Sequence, residues 1–228
     1  MARSGKSRQD RGRTVTEGTL EIWGKGTART QRPLWMAHEI GLEFTHHPIG
    51  PRTGETHEPD FLSLNPRHKV PMLRHGEVVL TESAAILIYL TESFDVPVEI
   101  FRADTATERI RHLEWCFFIM SELDANGLYT MRRHGPLKHL YGDAPVAVTG
   151  GQTYFLHQLA CMEAPLRAAA PFLMGEQLSP ADILLVSCLD WAVRYGIALP
   201  EYLMDYRARM TARPAYQSAT AMNGIELA

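Results

Sequence analysis

The chain has 228 residues, 45% of them hydrophobic and 21% charged, with a formal net charge of -3. That length suits one large or two small domains, and the mildly negative charge gives no footing for nucleic-acid binding. No apolar run approaches the ~18 residues of a membrane span, so the expectation is a soluble protein with neither a nucleic-acid nor a membrane partner.

Residues 1–17 carry five Lys or Arg against Asp10 and Glu17 and contain no apolar stretch. They read as a basic, flexible arm, not as a secretory signal, with an anion-binding tail as the weaker alternative. Residues 20–23 (LEIW) read as a strand and 24–29 as a loop. Thr30 can then cap a helix that runs to about residue 40 and stops at Gly41, with Pro33 in its first turn. Residues 44–49 read as a second strand and 50–58 as a polar loop. A helical turn over 59–63 follows, then two short apolar runs about the turn His75-Gly76, and a helix from Ser83 to about residue 91. The order is β-α-β-α-β-β-α, with one crossover joining parallel strands and a closing antiparallel hairpin.

Past Pro97 the periodicity becomes helical throughout. Residues 105–134 carry Ile110, Leu113, Cys116, Phe117, Ile119, Met120 and Leu123 at helical spacing, and 152–170 form a second amphipathic helix. Ser179-Pro180-Ala181-Asp182 has the form of a capping box with proline at the first helical position, opening the most apolar helix of the chain. A last helix, 200–212, ends before Arg213-Pro214. The expectation is an α/β domain over 18–94, a linker near 95–104, and an all-helical domain over 105–228. The three cysteines, Cys116, Cys161 and Cys188, are odd in number and widely spaced, which argues against a disulfide framework or a zinc site and for a reducing cytoplasm. His46-His47 makes no metal pair either, because neighbours in a strand point to opposite faces.

One stretch, 61–83 (FLSLNPRHKVPMLRHGEVVLTES), carries functional information. It is a hairpin entered through a proline and closed by a helix N-terminus, and both ends suit a small anionic, peptide-like ligand. Free N–H groups and the helix dipole at Ser83 favour a carboxylate, and Glu82 can take an amine. Taken alone, Ser83 is as well explained as a plain cap, Glu82 as a solvated acid, Pro71 as a strand-start proline and Lys69 as a surface cation.

In order along the chain, the loop and helix 27–42, "NPRHKVPML", "LTESAAILIYL", "LSPADILL" and "RARMTARPAYQSA" resemble the cytosolic glutathione S-transferases, in their bacterial-type members. The resemblance implies a thioredoxin-like N-terminal domain followed by an all-helical C-terminal domain, commonly in a homodimer. It implies glutathione as substrate, no metal, and a hydrophobic electrophile as co-substrate. The Val70-Pro71 bond is then cis, which presents the backbone of Val70 to the cysteinyl part of glutathione. Lys69 suits the glycyl carboxylate, with His57 as a further basic contact or, equally, a solvated loop histidine, while Glu82 and Ser83 hold the γ-glutamyl end. The family places a Tyr, Ser or Cys after the first strand; Thr27 stands at the serine position, with Thr30 and Arg29 as competitors for activating the thiol. With no cysteine in that loop, a mixed-disulfide mechanism is disfavoured. His112, Trp115 and Tyr129 are candidates for the wall of the second-substrate pocket, though interhelical core explains them equally. The implied activity is a glutathione transferase that conjugates glutathione to an electrophile in detoxification or reduces a peroxide. The alternatives are a catalytically weak binding or interaction protein, and a glutathione-dependent isomerase or lyase using the same site.

Overall fold

A computed structural model describes residues 18–169 and 171–224, so the basic arm over 1–17 lies outside the described residues. Strand β1 (Leu20–Trp23) runs into helix α1 (Ala28–Ile40), and β2 (Thr45–His47) returns parallel to β1 with Ile22 opposite His46. A 3-10 turn (Glu55–His57) and α2 (Pro59–Leu64) lead to the hairpin β3 (Met72–His75) and β4 (Val78–Thr81), and α3 (Ser83–Ser93) closes the unit. The sheet order is β2-β1-β3-β4, and β3 is antiparallel to both β1 and β4. The cross-strand partners Ile22 and Leu73 point to the same face and bury with Leu34, Trp35, Ile86 and Leu87 of α1 and α3, all removed from solvent.

The helical domain comprises α4 (Ala106–Phe118), a π-helical segment (Ile119–Tyr129), α5 (Thr130–His134), α6 (Lys138–Tyr141), α7 (Pro145–Cys161), α8 (Glu163–Ala169), α9 (Pro180–Arg194), α10 (Glu201–Thr211) and α11 (Pro214–Asn223). Buried α9 opens on the expected box: Ser179 Oγ accepts from Asp182 N, and the Asp182 carboxylate accepts from Ser179 N at 2.8 Å. The π segment crosses α7 at close range. A Cβ on Gly127 would meet Phe155 Cβ at 2.9 Å, and one on Gly151 would meet the Gly127 carbonyl at 3.0 Å, so glycine at both positions permits the crossing.

Several expectations are corrected. The helix expected over 105–134 is two α-helices joined by the π segment, because i→i+5 bonding widens the turn; this aims Asp124 inward. Ile110 and Phe117, apolar residues at helical spacing, are 63% and 69% exposed. The helix expected over 152–170 starts at Pro145 and breaks at Met162, giving α7 and α8. Helices α6 and α11 are additional to the elements that the sequence predicts. Thr30 is not the cap of α1: Thr27 is, with extended backbone (φ -136, ψ 156), and Thr30 sits at the third helical position. The two domains are clamped along α1 by Arg213, whose Nε and Nη2 reach the Glu39 carboxylate at 2.6 and 2.8 Å just before α11.

Candidate functional site

The N-terminus of α1 is held by a reciprocal pair of threonines. Thr30 N donates to Thr27 Oγ1, and Thr27 N donates to Thr30 Oγ1, each at 3.0 Å. Both residues are buried, Thr27 to 8% exposure and Thr30 to 1%. The last residue of α11 completes the unit. Asn223 Oδ1 accepts from Gly26 N at 3.0 Å and from Thr30 Oγ1 at 2.7 Å, and its Nδ2 donates to the Thr27 carbonyl and to Gln31 Oε1 at 3.1 Å each. Asn223 was missed from the sequence, where a polar residue near the end of the chain carries no sign of packing against residue 27.

The loop before this helix meets the proline turn. Gly24 has φ +127, and a Cβ there would lie 2.5 Å from Thr30 Cγ2 and 3.0 Å from Val70 Cβ. Only glycine lets the thiol-side loop, Thr30 and Val70 close on one another. The Val70-Pro71 bond is cis. Lys69 is exposed, and among the described residues no carboxylate is paired with it. The His57 ring stands 4.4 Å from the ring of His68, a second imidazole beside Lys69 that the sequence reading passed over.

At the other end of the hairpin, Glu82 holds φ 68 between β4 and α3. A residue with a Cβ is strained there, at a cost of order 1–3 kcal/mol, and such strain concentrates at ligand-binding positions. Its carboxylate pairs with Arg67 at 2.6 Å, with both side chains more than half exposed. An exposed pair of this kind contributes about 0–1 kcal/mol, so Arg67 holds the Glu82 carboxylate only weakly. Ser83 is the first residue of α3, not its cap, and its buried Oγ accepts from Arg32 Nη1 at 2.9 Å.

Arg32 was not anticipated as part of the site. It is fully buried in α1 and also donates to Ser187 Oγ at 2.6 Å and to Asp124 Oδ2 at 2.6 Å. Asp124 in turn accepts from Arg29, whose Nε lies 3.2 and 3.3 Å from its two oxygens. Burial opposes ionisation of Asp124, but the charges of Arg32 and then Arg29 outweigh it and hold its carboxyl below the usual range. One buried carboxylate thus joins α1, the start of α3 and the π segment. Arg29, a competitor for activating the thiol, has its charge answered by Asp124 and stacks 4.5 Å from the centroid of Tyr129.

The three pocket candidates separate. Tyr129 is brought to the first turn of α1 through Arg29. Trp115 is half-buried and packs edge-on to Phe118 at 6.3 Å. His112 is turned into the helical domain, with Nε2 3.4 Å from Cys116 Sγ and the Phe101 ring edge-on at 5.3 Å. Burial pushes its pKa down to about 4, so it is a neutral, buried residue near neutral pH. Burial also pushes the thiols of Cys116 and Cys188 up to about 12, which leaves neither as a thiolate near neutral pH.

The family models for the glutathione S-transferase N-terminal domain and C-terminal domain match residues 18–92 and 152–214. The chain belongs to the glutathione S-transferase family. A probable maleylacetoacetate isomerase of Vibrio cholerae is 28% identical over 178 residues, covering 75% of this chain and 79% of its own. A glutathione transferase from Methylococcus capsulatus has a crystal structure that superposes with a TM-score of 0.74 at 29% identity, over 90% of this chain and 99% of that one. A glutathione transferase homolog from Lodderomyces elongisporus, crystallised with two GSH per subunit, has the same fold at 20% identity, with a TM-score of 0.80 over 90% of this chain and 99% of its own. This glutathione S-transferase has the thioredoxin-like sheet domain and helical domain expected of it. Among its described residues no group of three or more His, Cys, Asp or Glu is placed to hold a metal ion, and no helix is long and apolar enough to cross a membrane.

Replacing Ser83 by alanine tests the hairpin end. The change removes one hydroxyl beside the helix N-terminus and leaves a buried Arg32 donor without that partner. Glutathione affinity, measured by calorimetry, should fall, and urea denaturation should show a loss of about 1–3 kcal/mol. Unchanged affinity would remove Ser83 from the site whatever happens to stability.

Proposed function

We propose that this protein is a glutathione transferase that stabilises the thiolate of bound glutathione with the Thr27 hydroxyl and delivers the sulfur to an electrophilic carbon or to a peroxide. The observation that carries this reading is the proton order at the start of α1. The Thr30 hydroxyl has two acceptors for its single proton, Asn223 Oδ1 at 2.7 Å and the Thr27 carbonyl at 2.9 Å. Thr27 Oγ1 accepts from Thr30 N and keeps its own proton to donate. A donor at a helix N-terminus lowers a thiol pKa. In conjugation the C–S bond forms as the bond to the leaving group breaks, and its electron pair departs with that group.

The rest of glutathione follows the groups described above. The γ-glutamyl carboxylate lies at the start of α3 with Ser83, and the amine lies on Glu82. The cysteinyl backbone pairs with that of Val70 before Pro71. The glycyl carboxylate lies by Lys69 and the imidazole pair His57–His68. A second reading, a weakly catalytic binding protein, draws on one observation: Thr27 Oγ1 is 3.0 Å from Thr30 Oγ1, so its proton has an internal acceptor as well. Thiolate absorbance of bound glutathione against pH separates the two. A midpoint clearly below the ~8.5 of an ordinary thiol supports catalysis, and an unshifted midpoint leaves binding alone. A glutathione-dependent isomerisation would use the same thiolate.

We place the protein in the cytoplasm as a homodimer. Its three cysteines are unpaired, as a reducing compartment requires. Ile110 and Phe117 stand two turns apart on the outer face of α4, an apolar patch that a second copy of the chain would cover. Sedimentation equilibrium should give a mass twice that of the chain, falling to the monomer in Ile110→Glu/Phe117→Glu. A monomeric wild-type protein would sink the dimer.

A further inference from the structure

Beside the thiol end of the site, one cation lacks an acid. Arg132 on α5 is half-buried, with its guanidinium 5.6 Å from the ring centroid of Trp191 on α9. Arg29 lies over the same ring at 5.9 Å, but its charge is answered by Asp124. No carboxylate among the described residues is paired with Arg132; the charges and rings that act on it are Arg52, Tyr195, Arg29, Tyr129 and Trp191. Burial, then repulsion from Arg52 and Arg29, lowers its pKa, and the two tyrosines act in the opposite sense. Arg52 comes from the loop after β2 and acts on Tyr195 as well. Arg29 in the first turn of α1 and Arg132 on α5 thus meet over one ring, Trp191, where the sheet domain and the helical domain bring two cations together.

A half-buried guanidinium among other cations is disfavoured unless an anion joins it. Guanidinium forks match planar oxyanions, and the surrounding rings suit a flat π system. We propose that Arg132, with Arg52 and the rings of Trp191 and Tyr195, anchors the carboxylate of the second substrate, so that the electrophile is an aromatic or unsaturated carboxylate and not a neutral hydrophobe. This rests on the transferase reading for its place in the reaction. With 4-chloro-3,5-dinitrobenzoate, for example, the glutathione thiolate attacks the ring carbon bearing chlorine. The C–S bond forms, chloride leaves with the C–Cl electron pair, and the carboxylate stays on Arg132.

Two pairs of compounds test it. The unreactive pair, 3,5-dinitrobenzoate and 3,5-dinitrobenzamide, is titrated calorimetrically into the full chain with and without saturating glutathione. The benzoate should bind about tenfold more tightly than the amide, a preference that falls to about one in Arg132→Gln, partly returns in Arg132→Lys, and weakens in Arg52→Gln. Arg52 is exposed, so its variant gives a reading even where a change at Arg132 disturbs folding. Equal binding of the pair to the wild-type protein overturns the proposal. So does a preference that survives Arg132→Gln, or an Arg132→Gln that weakens glutathione more than the benzoate. The reactive 4-chloro pair, with each kcat/KM divided by the uncatalysed rate with glutathione, should show the same preference. A benzoate preference in binding with no turnover of either chloro compound sinks the transferase reading and leaves the anion site standing. Turnover of both without preference does the reverse.

Discussion

Asp124→Ala is expected to destabilise the protein by about 3–5 kcal/mol. The carboxylate is fully buried and answers two arginines. Without it the Arg32 charge stays buried beside that of Arg29, and its remaining hydrogen-bond partners are neutral: Ser187 Oγ at 2.6 Å, Ser83 Oγ at 2.9 Å, Met120 Sδ at 3.1 Å and Cys188 Sγ at 3.6 Å. Removing one partner of a buried pair is costly, whereas replacing both by apolar groups of similar volume is often nearly neutral. Asp124→Leu combined with Arg32→Met should therefore recover much of the loss in urea denaturation, and the double-mutant cycle measures the coupling. Additive effects would mean that the pair is not what joins the domains. The sign with pH follows from the depressed carboxyl pKa. The contribution of Asp124 is complete above the ~3.9 of an unfolded aspartate and is lost as pH falls through its lower folded value. The stability gap between wild type and Asp124→Asn should close only below about pH 4. Glutathione affinity should fall with stability, because the same guanidinium holds Ser83.

What could be read from the sequence is what is local. The order β-α-β-α-β-β-α emerges because most of its elements are short and bounded on at least one side by glycine or proline. Ser179 and Asp182 are legible because a capping box is complete within four residues. The junction of the domains is the opposite case. Arg32 and Asp124 are separated by 92 positions, and helical periodicity says that each lies on a helix without saying which cation meets which acid. The π segment escapes for a related reason, since a 3.6-residue pattern carries no mark of where the turn widens. Helix α11 was hidden by its polarity: Thr220 and Asn223 look like surface residues, yet they bury against Gln31, Thr27 and Thr30. Along Thr27-Ala-Arg-Thr30 two hydroxyls compete for the cap, and composition cannot choose between them. The choice falls to the backbone, extended at Thr27 and helical at Thr30.

That choice sets up the second large effect. Thr27→Val should raise the thiol pKa of bound glutathione towards that of a free thiol and lower kcat/KM for conjugation by about 10²–10³, the range for removing one preorganised donor from a developing or full negative charge. Valine keeps the shape and the stiff β-branch and deletes only the hydroxyl. It also removes the cap, so about 1 kcal/mol of stability should go with it, far too little to unfold the chain. Thr27→Ser retains the donor and should titrate like the wild type. Thr30→Val is the informative control, because the Thr30 proton has Asn223 Oδ1 and the Thr27 carbonyl as acceptors and its oxygen takes Thr27 N. That variant should loosen the loop and weaken glutathione binding while the thiolate, once bound, keeps its lowered pKa. If instead Thr30→Val abolishes the shift and Thr27→Val does not, the donor has been assigned to the wrong hydroxyl. If neither does, the thiolate is held by the backbone N–H groups at the start of α1. Arg29 is a poor third choice, since the carboxylate of Asp124 already cancels most of the field its guanidinium would send to the sulfur.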